Sequence, residues 1–146
     1  MCPSANPTHA DTVAALYRAF ETGDIPAILD RLTDDVSWDA DWPDNTAQLA
    51  GVPQLQPRRG PEEVSEFFAL LSDWKFQEFK VVDVIGAAGQ VVAEVEIDAI
   101  LPNGTRIVDQ NLHLWSFDDD GRVTRLRTYG DTAKLITAHA GGHNGS

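Results

Sequence analysis

The sequence is poor in cysteine, in positive charge and in long apolar runs. It has one cysteine, Cys2, among 146 residues, so no disulfide can form within the chain, which is typical of the reducing cytoplasm. Its 11 basic residues face 23 acidic ones, for a formal net charge of −12, and phosphate recognition needs clustered cations. No apolar run approaches the roughly 18 residues of a membrane-spanning helix. We therefore expect a cytoplasmic protein that binds neither nucleic acid nor membranes.

Groups that hold metals or cofactors are also scarce. Of the four histidines, His9, His113, His139 and His143, only the last two have an HxxxH spacing, in a glycine-containing stretch near the C-terminal end, and the chain has no CxxC pair. No glycine-rich phosphate loop is present. Oxygen ligands from the acids within residues 94–109 are the remaining option for a divalent cation. We expect neither a metal nor a cofactor.

What the chain does contain is enough apolar material for one core. Its length and its 42% of hydrophobic residues suit a single domain. The N-terminal residues 1–10 and the tail over 141–146 lack apolar periodicity, so we expect a disordered start, a single domain over 11–140 and a flexible end.

Apolar periodicity predicts helices first and strands afterwards. This order, with a mostly antiparallel meander at the end, is typical of an α+β fold in which a curved sheet wraps over helices. A proline-rich segment without periodicity, 41–60, predicts a long loop. The predicted helices lie at about 11–22, 26–32, 62–71 and 132–140, and the predicted strands at 36–40, 76–85 and, separated by two turns, within 91–131.

The strongest short-range signal is a β-hairpin turn. The dipeptide Asn-Gly at 103–104 favours a two-residue type I′ loop, because both residues tolerate positive φ. That loop sets the register, with Glu94 opposite His113 and Glu96 opposite Asn111. Side chains alternate along a strand, so the acidic residues share one face of the sheet and the apolar residues share the other.

Three stretches carry a resemblance to a known family. They are LYRAFETGDIPAILDRLTDDVSW at 16–38, RRGPEEVSEFF at 58–68 and LHLWSFDDDGRVTRLRTYGDTAKL at 112–135. Together with the order of elements, they resemble the nuclear transport factor 2-like superfamily, in its SnoaL-like and ketosteroid isomerase-like branch. The resemblance implies a cone-shaped, curved, mostly antiparallel sheet wrapped around N-terminal helices (a cystatin-like roll). It also implies a cavity inside the cone, and dimers are common in such folds.

The resemblance further implies that the acidic face of the sheet is the concave one. His113 falls where steroid isomerases place the carboxylic acid of their oxyanion hole. Glu94 and Glu96 fall where limonene epoxide hydrolase-like enzymes place a catalytic arginine and aspartate. Both alignments select the same face, so the acids should point into the cavity.

The sequence departs from both catalytic sets. The general-base aspartate of steroid isomerases falls at Ala40, and the neighbouring Asp39 and Asp41 point the other way on a regular strand. The oxyanion tyrosine falls at Leu16, with Tyr17 next to it. Neither set is intact, so neither activity is carried over to this chain.

The candidate catalytic residues are His113, Glu94 and Glu96. A carboxylate beside an imidazole favours imidazolium and fixes its tautomer, and two carboxylates in a dry cavity raise the pKa of one of them. The same Glu94–His113 pair is also compatible with a structural or solvent-exposed ion pair. The candidate substrate-binding residues are Trp38, Trp42 (as a lid), Tyr17, Phe68, Asn111, Trp115 and Thr128.

These expectations favour a small cofactor-independent enzyme. It would carry out acid/base chemistry, namely isomerisation, cyclisation or dehydration, on a hydrophobic carbonyl-bearing or polyketide-like small molecule. One alternative is a non-catalytic, dimeric small-molecule-binding module. Another is an epoxide hydrolase-like enzyme in which Glu94 and Glu96 activate water. The convex sheet face, where Arg125, Arg127 and Tyr129 lie, suits a homodimer interface.

Overall fold

The computed structural model describes residues 8–140, so the disorder expected over 1–7 and the tail expected over 141–146 lie outside the described residues. His9 and Ala10 belong to the first helix rather than to a disordered start. Thr8 caps this helix: its hydroxyl accepts a hydrogen bond from the Asp11 amide at 3.0 Å, and the Asp11 carboxylate accepts one from the Thr8 amide at 3.1 Å. This reciprocal capping box fixes where the helix begins.

Five helices and six strands make up the described chain. The segment predicted as a loop over 41–60 contains a short helix, a 3₁₀ turn at Pro53–Leu55 and a two-residue strand. The helices are α1 (His9–Thr22), α2 (Ile25–Leu29), α3 (Thr46–Leu49), α4 (Gly60–Leu71) and α5 (Thr132–His139), and the strands are β1 (Leu32–Trp38), β2 (Arg58–Arg59), β3 (Lys75–Ala87), β4 (Gln90–Ile100), β5 (Arg106–Phe117) and β6 (Val123–Tyr129).

The strands form one sheet in the order β2-β1-β6-β5-β4-β3. All neighbours are antiparallel except β1 and β6, which run parallel. Helices α1, α2 and α4 pack on one face of this sheet, where Val13, Val36, Val64 and Val95 are fully buried. The predicted α+β architecture, a mostly antiparallel sheet around N-terminal helices, is confirmed.

The register predicted for the β4–β5 hairpin is wrong by one residue. Ile100 pairs with Arg106, and the Leu101 amide donates to the Thr105 carbonyl at 2.8 Å, so the loop has three residues, Pro102–Gly104. Gly104 has a φ of +88°, a left-handed conformation that glycine adopts without a steric penalty. A three-residue loop closed by a left-handed glycine is the next most common hairpin connection after the two-residue turn.

This shift changes what faces the helices. Ala93 pairs with His113 and Val95 pairs with Asn111, whereas Glu94 pairs with Leu112. Because side chains alternate, β4 presents its small and apolar residues to the concave side and its acids to the convex side. Strand β5 keeps its predicted orientation, with its polar residues facing inward. Within residues 8–140, no helix is long and apolar enough to cross a membrane.

Candidate functional site

Two adjoining chambers lie between the helices and the concave face of the sheet. The inner chamber is enclosed by α1, α4 and the sheet, and the polar chamber lies beside it, between the Pro53–Leu55 turn, β5 and α5. His113 and Thr128 line both chambers. The predicted residues that line the inner chamber are Tyr17, Trp38, Phe68, His113, Trp115 and Thr128, and the polar chamber is lined by Gln54, Trp74, Asp109, Asn111 and Leu135 among others.

A chain of hydrogen bonds connects three aromatic side chains on the wall of the inner chamber. The Tyr17 hydroxyl lies 2.5 Å from His113 Nδ1, and Trp115 Nε1 donates to the same hydroxyl at 3.1 Å. Tyr17 comes from α1, while His113 and Trp115 occupy successive inward positions of β5. The predicted partner of His113 was Glu94, but the actual partner is a neutral tyrosine.

We assign the tautomer of the neutral His113 ring from its hydrogen-bond partners. An indole N–H only donates, so the Tyr17 oxygen accepts from Trp115 and its one proton is available to His113 Nδ1. The neutral ring then carries its proton on Nε2. Burial lowers the pKa of His113 to about 4, and burial also raises the pKa of Tyr17 above its ordinary value. His113 is therefore a neutral hydrogen-bond donor to the cavity at neutral pH.

A buried carboxyl group stands behind the cavity wall. Asp39 is 2% exposed, and its side chain accepts a hydrogen bond from the Thr128 amide at 2.7 Å and lies 3.1 Å from the Thr128 hydroxyl. Burial raises the pKa of Asp39 to about 7, although the hydrogen bonds from Thr128 and the nearby Arg58 act in the opposite direction. Thr128 pairs with His113 across β5 and β6. The Asp39 carboxyl group and the His113 imidazole therefore lie at the same part of the cavity wall.

The sequence prediction missed Asp39 because it treated the residue as part of a regular strand. Strand β1 ends at Trp38, and Asp39 has a φ of +52°, the one positive φ of a non-glycine residue among the described residues. This turn brings its side chain inward beside that of Trp38. The sequence offered two signals: aspartate tolerates the left-handed region better than most residues do, and Asp39 adjoins Ala40, where the family resemblance places a general-base aspartate.

Three predicted site residues lie elsewhere. Glu94 is exposed, and Glu96 pairs with Gln110 on the convex face, so neither carboxylate reaches the cavity. Trp42 packs on Tyr129, with ring centroids 4.9 Å apart, and lies under the Arg127 guanidinium. It therefore belongs to the outer surface and forms no lid over the chambers. The reason for the error at the two glutamates is the one-residue shift of the hairpin register.

The polar chamber gathers side chains at the end of the cavity away from Tyr17. Asp109 is 2% exposed and Asn111 is 8% exposed. With its amide nitrogen turned toward the acceptors, Asn111 donates to Asp109 Oδ2 at 3.1 Å. Lys134 of α5 lies 3.6 Å from Asp109 Oδ1. Burial raises the pKa of Asp109, while Lys134 and a backbone hydrogen bond oppose that rise.

Metal ligands are not assembled in the part of the chain that the structure describes. No group of three or more histidine, cysteine, aspartate or glutamate side chains within residues 8–140 is placed to hold an ion.

Solved structures with the same fold include proteins of different kinds. An NTF2-like protein from Burkholderia thailandensis is 19% identical, with a TM-score of 0.77 over 92% of this chain and 98% of that one. An LEH-like epoxide hydrolase from M. tuberculosis is 18% identical, with a TM-score of 0.66 over 92% and 90% of the two chains. TerC, co-crystallised with polyporic acid, is 22% identical, with a TM-score of 0.68 over 88% and 97%. At these identities the likeness shows the fold alone.

A search of curated proteins finds no significant match to this chain. The profile of the SnoaL-like domain, by contrast, matches residues 13–126, which span every element from α1 into β6. The chain therefore belongs to the SnoaL-like domain family, within the nuclear transport factor 2-like superfamily.

Proposed function

We propose that this protein is an acid/base enzyme that needs no cofactor and acts at the carbonyl group of a small, hydrophobic, polyketide-like molecule. The reaction is an isomerisation, cyclisation or dehydration that passes through an enol or enolate. The observation that carries this proposal is the neutral His113, held by Tyr17 and Trp115 on the wall of a mostly apolar cavity.

The first part of the chemistry is stabilisation of the carbonyl oxygen. His113 Nε2–H donates a hydrogen bond to that oxygen, and Tyr17 fixes the ring through Nδ1. A neutral imidazole is suited to this role, because it polarises a carbonyl without transferring its proton completely. The surrounding apolar side chains exclude water and strengthen the hydrogen bond to the developing oxyanion.

The second part is removal of a proton from the carbon next to the carbonyl. Thr128 Oγ1 takes this proton while its own proton passes to Asp39 Oδ2, 3.1 Å away. The electron pair of the broken C–H bond forms the enolate held by His113. Return of the proton to another carbon moves the double bond and restores both side chains. A carboxyl group whose pKa is about 7 is well matched to such a transfer near neutral pH.

The size and lining of the cavity support a ring-shaped ligand. The two adjoining chambers have volumes of about 70 and 80 Å³, and only together do they approach the roughly 150 Å³ of an engineered apolar cavity that holds one benzene molecule. Trp38, Phe68 and Trp115 offer aromatic faces to such a ring. TerC, a protein of the same fold, was crystallised with polyporic acid, which supports a small organic ligand here.

A non-catalytic binding module remains the second candidate, because the same apolar cavity would hold a ligand without changing it. The epoxide hydrolase hypothesis has lost its proposed water-activating pair, since Glu94 and Glu96 lie on the convex face. The likeness to an LEH-like epoxide hydrolase concerns the fold.

Isomerisation of 3-cyclohexenone to the conjugated 2-cyclohexenone tests the proposal. This ketone has the size of the cavity, and the ultraviolet absorbance of the conjugated product reports turnover. We expect catalysis by the wild-type protein and a loss of about 100-fold or more in His113→Gln, because the donor to the carbonyl is removed.

The matched control is His9→Gln. His9 stacks on Phe117 at 4.4 Å and does not line either chamber, so activity should be unchanged. Melting temperatures of both variants exclude unfolding as the cause. Equal activity of His113→Gln and wild type would refute the mechanism, and binding of the ketone without turnover would favour the binding module.

We also propose that two copies associate through the convex sheet face. The single cysteine favours a location in the reducing cytoplasm. Val108 is 48% exposed, Leu112 is 47% exposed and Tyr129 is 38% exposed, and all three lie on adjacent strands β5 and β6. An apolar patch of this kind on an otherwise acidic protein is typical of an interface.

A further inference from the structure

Gln54 is buried in the polar chamber without any hydrogen-bond partner. Its side chain is 7% exposed, and its Oε1 atom accepts nothing. Its Nε2 atom makes no hydrogen bond within residues 8–140, and unlike Oε1 it is not fully buried. The side chain enters the chamber from the Pro53–Leu55 turn. The amide oxygen therefore has no partner within residues 8–140, which is unfavourable for a buried polar atom, and the amide nitrogen is left free to donate.

The backbone that carries Gln54 is held firmly in place. Arg58 Nη2 donates to the Pro53 carbonyl at 3.2 Å, and Gln56 Nε2 donates to the Val52 carbonyl at 3.0 Å. These side chains tie down both sides of the 3₁₀ turn. The amide is thus presented to the chamber by an ordered segment, which is the support that a binding residue needs.

The same chamber contains an acceptor, whose charge is balanced by a cation that lies outside the chamber lining. Asp109 is almost completely buried, is bonded to Asn111 and lies 3.6 Å from the Lys134 ammonium. Lys134 balances the charge of Asp109, so the chamber has little reason to attract a cationic ligand. An anionic ligand would meet the Asp109 carboxylate. A neutral group that both accepts and donates a hydrogen bond fits this arrangement best.

We infer that the polar chamber binds a hydroxyl group of a ring-bearing ligand, with the Gln54 amide donating to the hydroxyl oxygen and Asp109 accepting the hydroxyl proton. Trp74 and Leu135 form the apolar wall against which the ring lies. The Gln54 Oε1 atom then accepts a hydrogen bond from water carried in with the ligand or from a second hydroxyl group on the ring.

This subsite also defines the substrate of the proposed reaction, and that extension rests on the proposed function. His113 lines both chambers, so a molecule whose carbonyl group lies at His113 places its far end beside Gln54. The substrate class is then a cyclic compound that carries a carbonyl group at one end and a hydroxyl group at the other.

Binding of phenol and toluene tests the subsite without any turnover. The two compounds have nearly the same size and differ in the hydroxyl group. Titrations followed by NMR would use the Trp74 indole N–H and the Leu135 methyl groups as local probes, and the Trp38 and Trp115 indoles as probes of the inner chamber. We expect phenol to bind at Trp74 and Leu135 more tightly than toluene does.

Gln54→Leu should lower the affinity for phenol by about tenfold while leaving that for toluene unchanged or higher, because one hydrogen bond is lost and apolar surface is gained. Asp109→Asn is a second variant, in which asparagine keeps the shape of aspartate. It should also lower the affinity for phenol but not the affinity for toluene. The matched control is Gln110→Leu: Gln110 lies next to Asp109 on β5 but is exposed on the convex face, so both affinities should stay as in the wild type.

Three results would overturn the inference. The first is that the wild type binds phenol and toluene with equal affinity. The second is that Gln54→Leu keeps the wild-type preference for phenol over toluene. The third is that phenol shifts only the NMR signals of Trp38 and Trp115. None of them depends on whether 3-cyclohexenone is converted. Failure of the subsite and failure of the proposed reaction are therefore separate outcomes.

Discussion

Asp39 and His113 respond to pH in opposite directions. Asp39 keeps its proton up to a pKa of about 7 in the folded state, against 3.8 as its ordinary value. The folded state therefore binds more protons than the unfolded state between these values, and the contribution of Asp39 to stability falls as pH rises. His113 has a pKa of about 4 when folded, against 6.5, so its contribution rises with pH. Between about pH 4 and 6.5 the two effects oppose each other.

Asp39→Asn separates the contribution of Asp39 to stability from that of His113. Asparagine mimics the protonated carboxyl group and can still bond the Thr128 amide, so the variant should match the wild type near pH 4. Toward pH 7 and above it should become more stable than the wild type, by up to about 4 kcal/mol for a pKa difference of about three units. Urea unfolding at several pH values measures this difference. The same variant should be slower in the ketone isomerisation, because the proton acceptor is gone.

The neighbouring Asp41→Asn is the control. Asp41 is partly exposed and paired with Arg125 and Arg127, and these arginines lower its pKa although burial opposes them. Loss of the Asp41 carboxylate should destabilise the protein at neutral pH, and this destabilisation should become smaller in acid. The pH trend of Asp41→Asn is therefore opposite to that of Asp39→Asn. A difference between Asp39→Asn and wild type that stays flat with pH would contradict the assignment of a protonated Asp39.

At the scale of the elements, most of the fold was readable from periodicity. The caps and apolar spacing of α1 and α4 indicated both helices, and alternation indicated β3 to β6. The segment 41–60 was harder, because α3 has four residues and β2 has two. Such short elements depend on tertiary contacts, such as the pairing of Ser37 with Arg59, rather than on local preference.

The candidate site was only half predictable, for one geometric reason. The residues that β5 contributes, His113, Asn111 and Trp115, face the cavity as expected, whereas Glu94 and Glu96 of β4 do not. A hairpin loop with one more residue than assumed moves every side chain of one strand to the other face. Asn-Gly fits a two-residue loop as well as it fits the end of a three-residue loop, so the dipeptide could not decide between them.

Gly104→Ala tests this account of the hairpin. A Cβ at Gly104 would meet nothing within 4 Å, so any cost arises from the backbone conformation and not from a clash. We expect a loss of about 1 to 2 kcal/mol in the free energy of unfolding, because an L-residue at a φ of +88° is strained. Chemical denaturation measures the loss.

Gly104→Asn is the comparison for that variant. Asparagine tolerates the left-handed region better than alanine does, so it should retain part of the lost stability. Alanine and asparagine variants of equal stability, both close to the wild type, would show that residue 104 does not need a positive φ.

At the scale of the whole molecule, charge and apolar surface act against each other. A formal net charge of −12 per chain opposes association of two copies, and in the proposed homodimer the exposed Val108, Leu112 and Tyr129 favour it. Association should therefore be stronger at higher ionic strength, where repulsion is screened over a Debye length of about 10 Å or less. The nearby Arg125 and Arg127 reduce the local negative charge at this face.

Leu112→Glu should dissociate the proposed homodimer. The change places a new negative charge within the apolar patch, and we expect sedimentation velocity to show a monomer where the wild type sediments as a dimer. Leu49→Glu is the matched control, because Leu49 of α3 is 77% exposed and lies away from the sheet. A wild-type monomer at micromolar concentration, or a dimer that persists in Leu112→Glu, would refute an interface at this face.

The single parallel pairing in the sheet has a consequence for how the molecule is made. Ser37 and Trp38 of β1 pair with Arg125 and Leu126 of β6, which lie far along the chain. During synthesis, β1 leaves the ribosome long before its partner exists, and contacts so distant in sequence form late and slowly. Thr128 reaches Asp39 only across this junction. The proposed proton-transfer pair therefore cannot form until β6 has been made and has paired with β1, and a nascent chain that ends before β6 has no acid/base site.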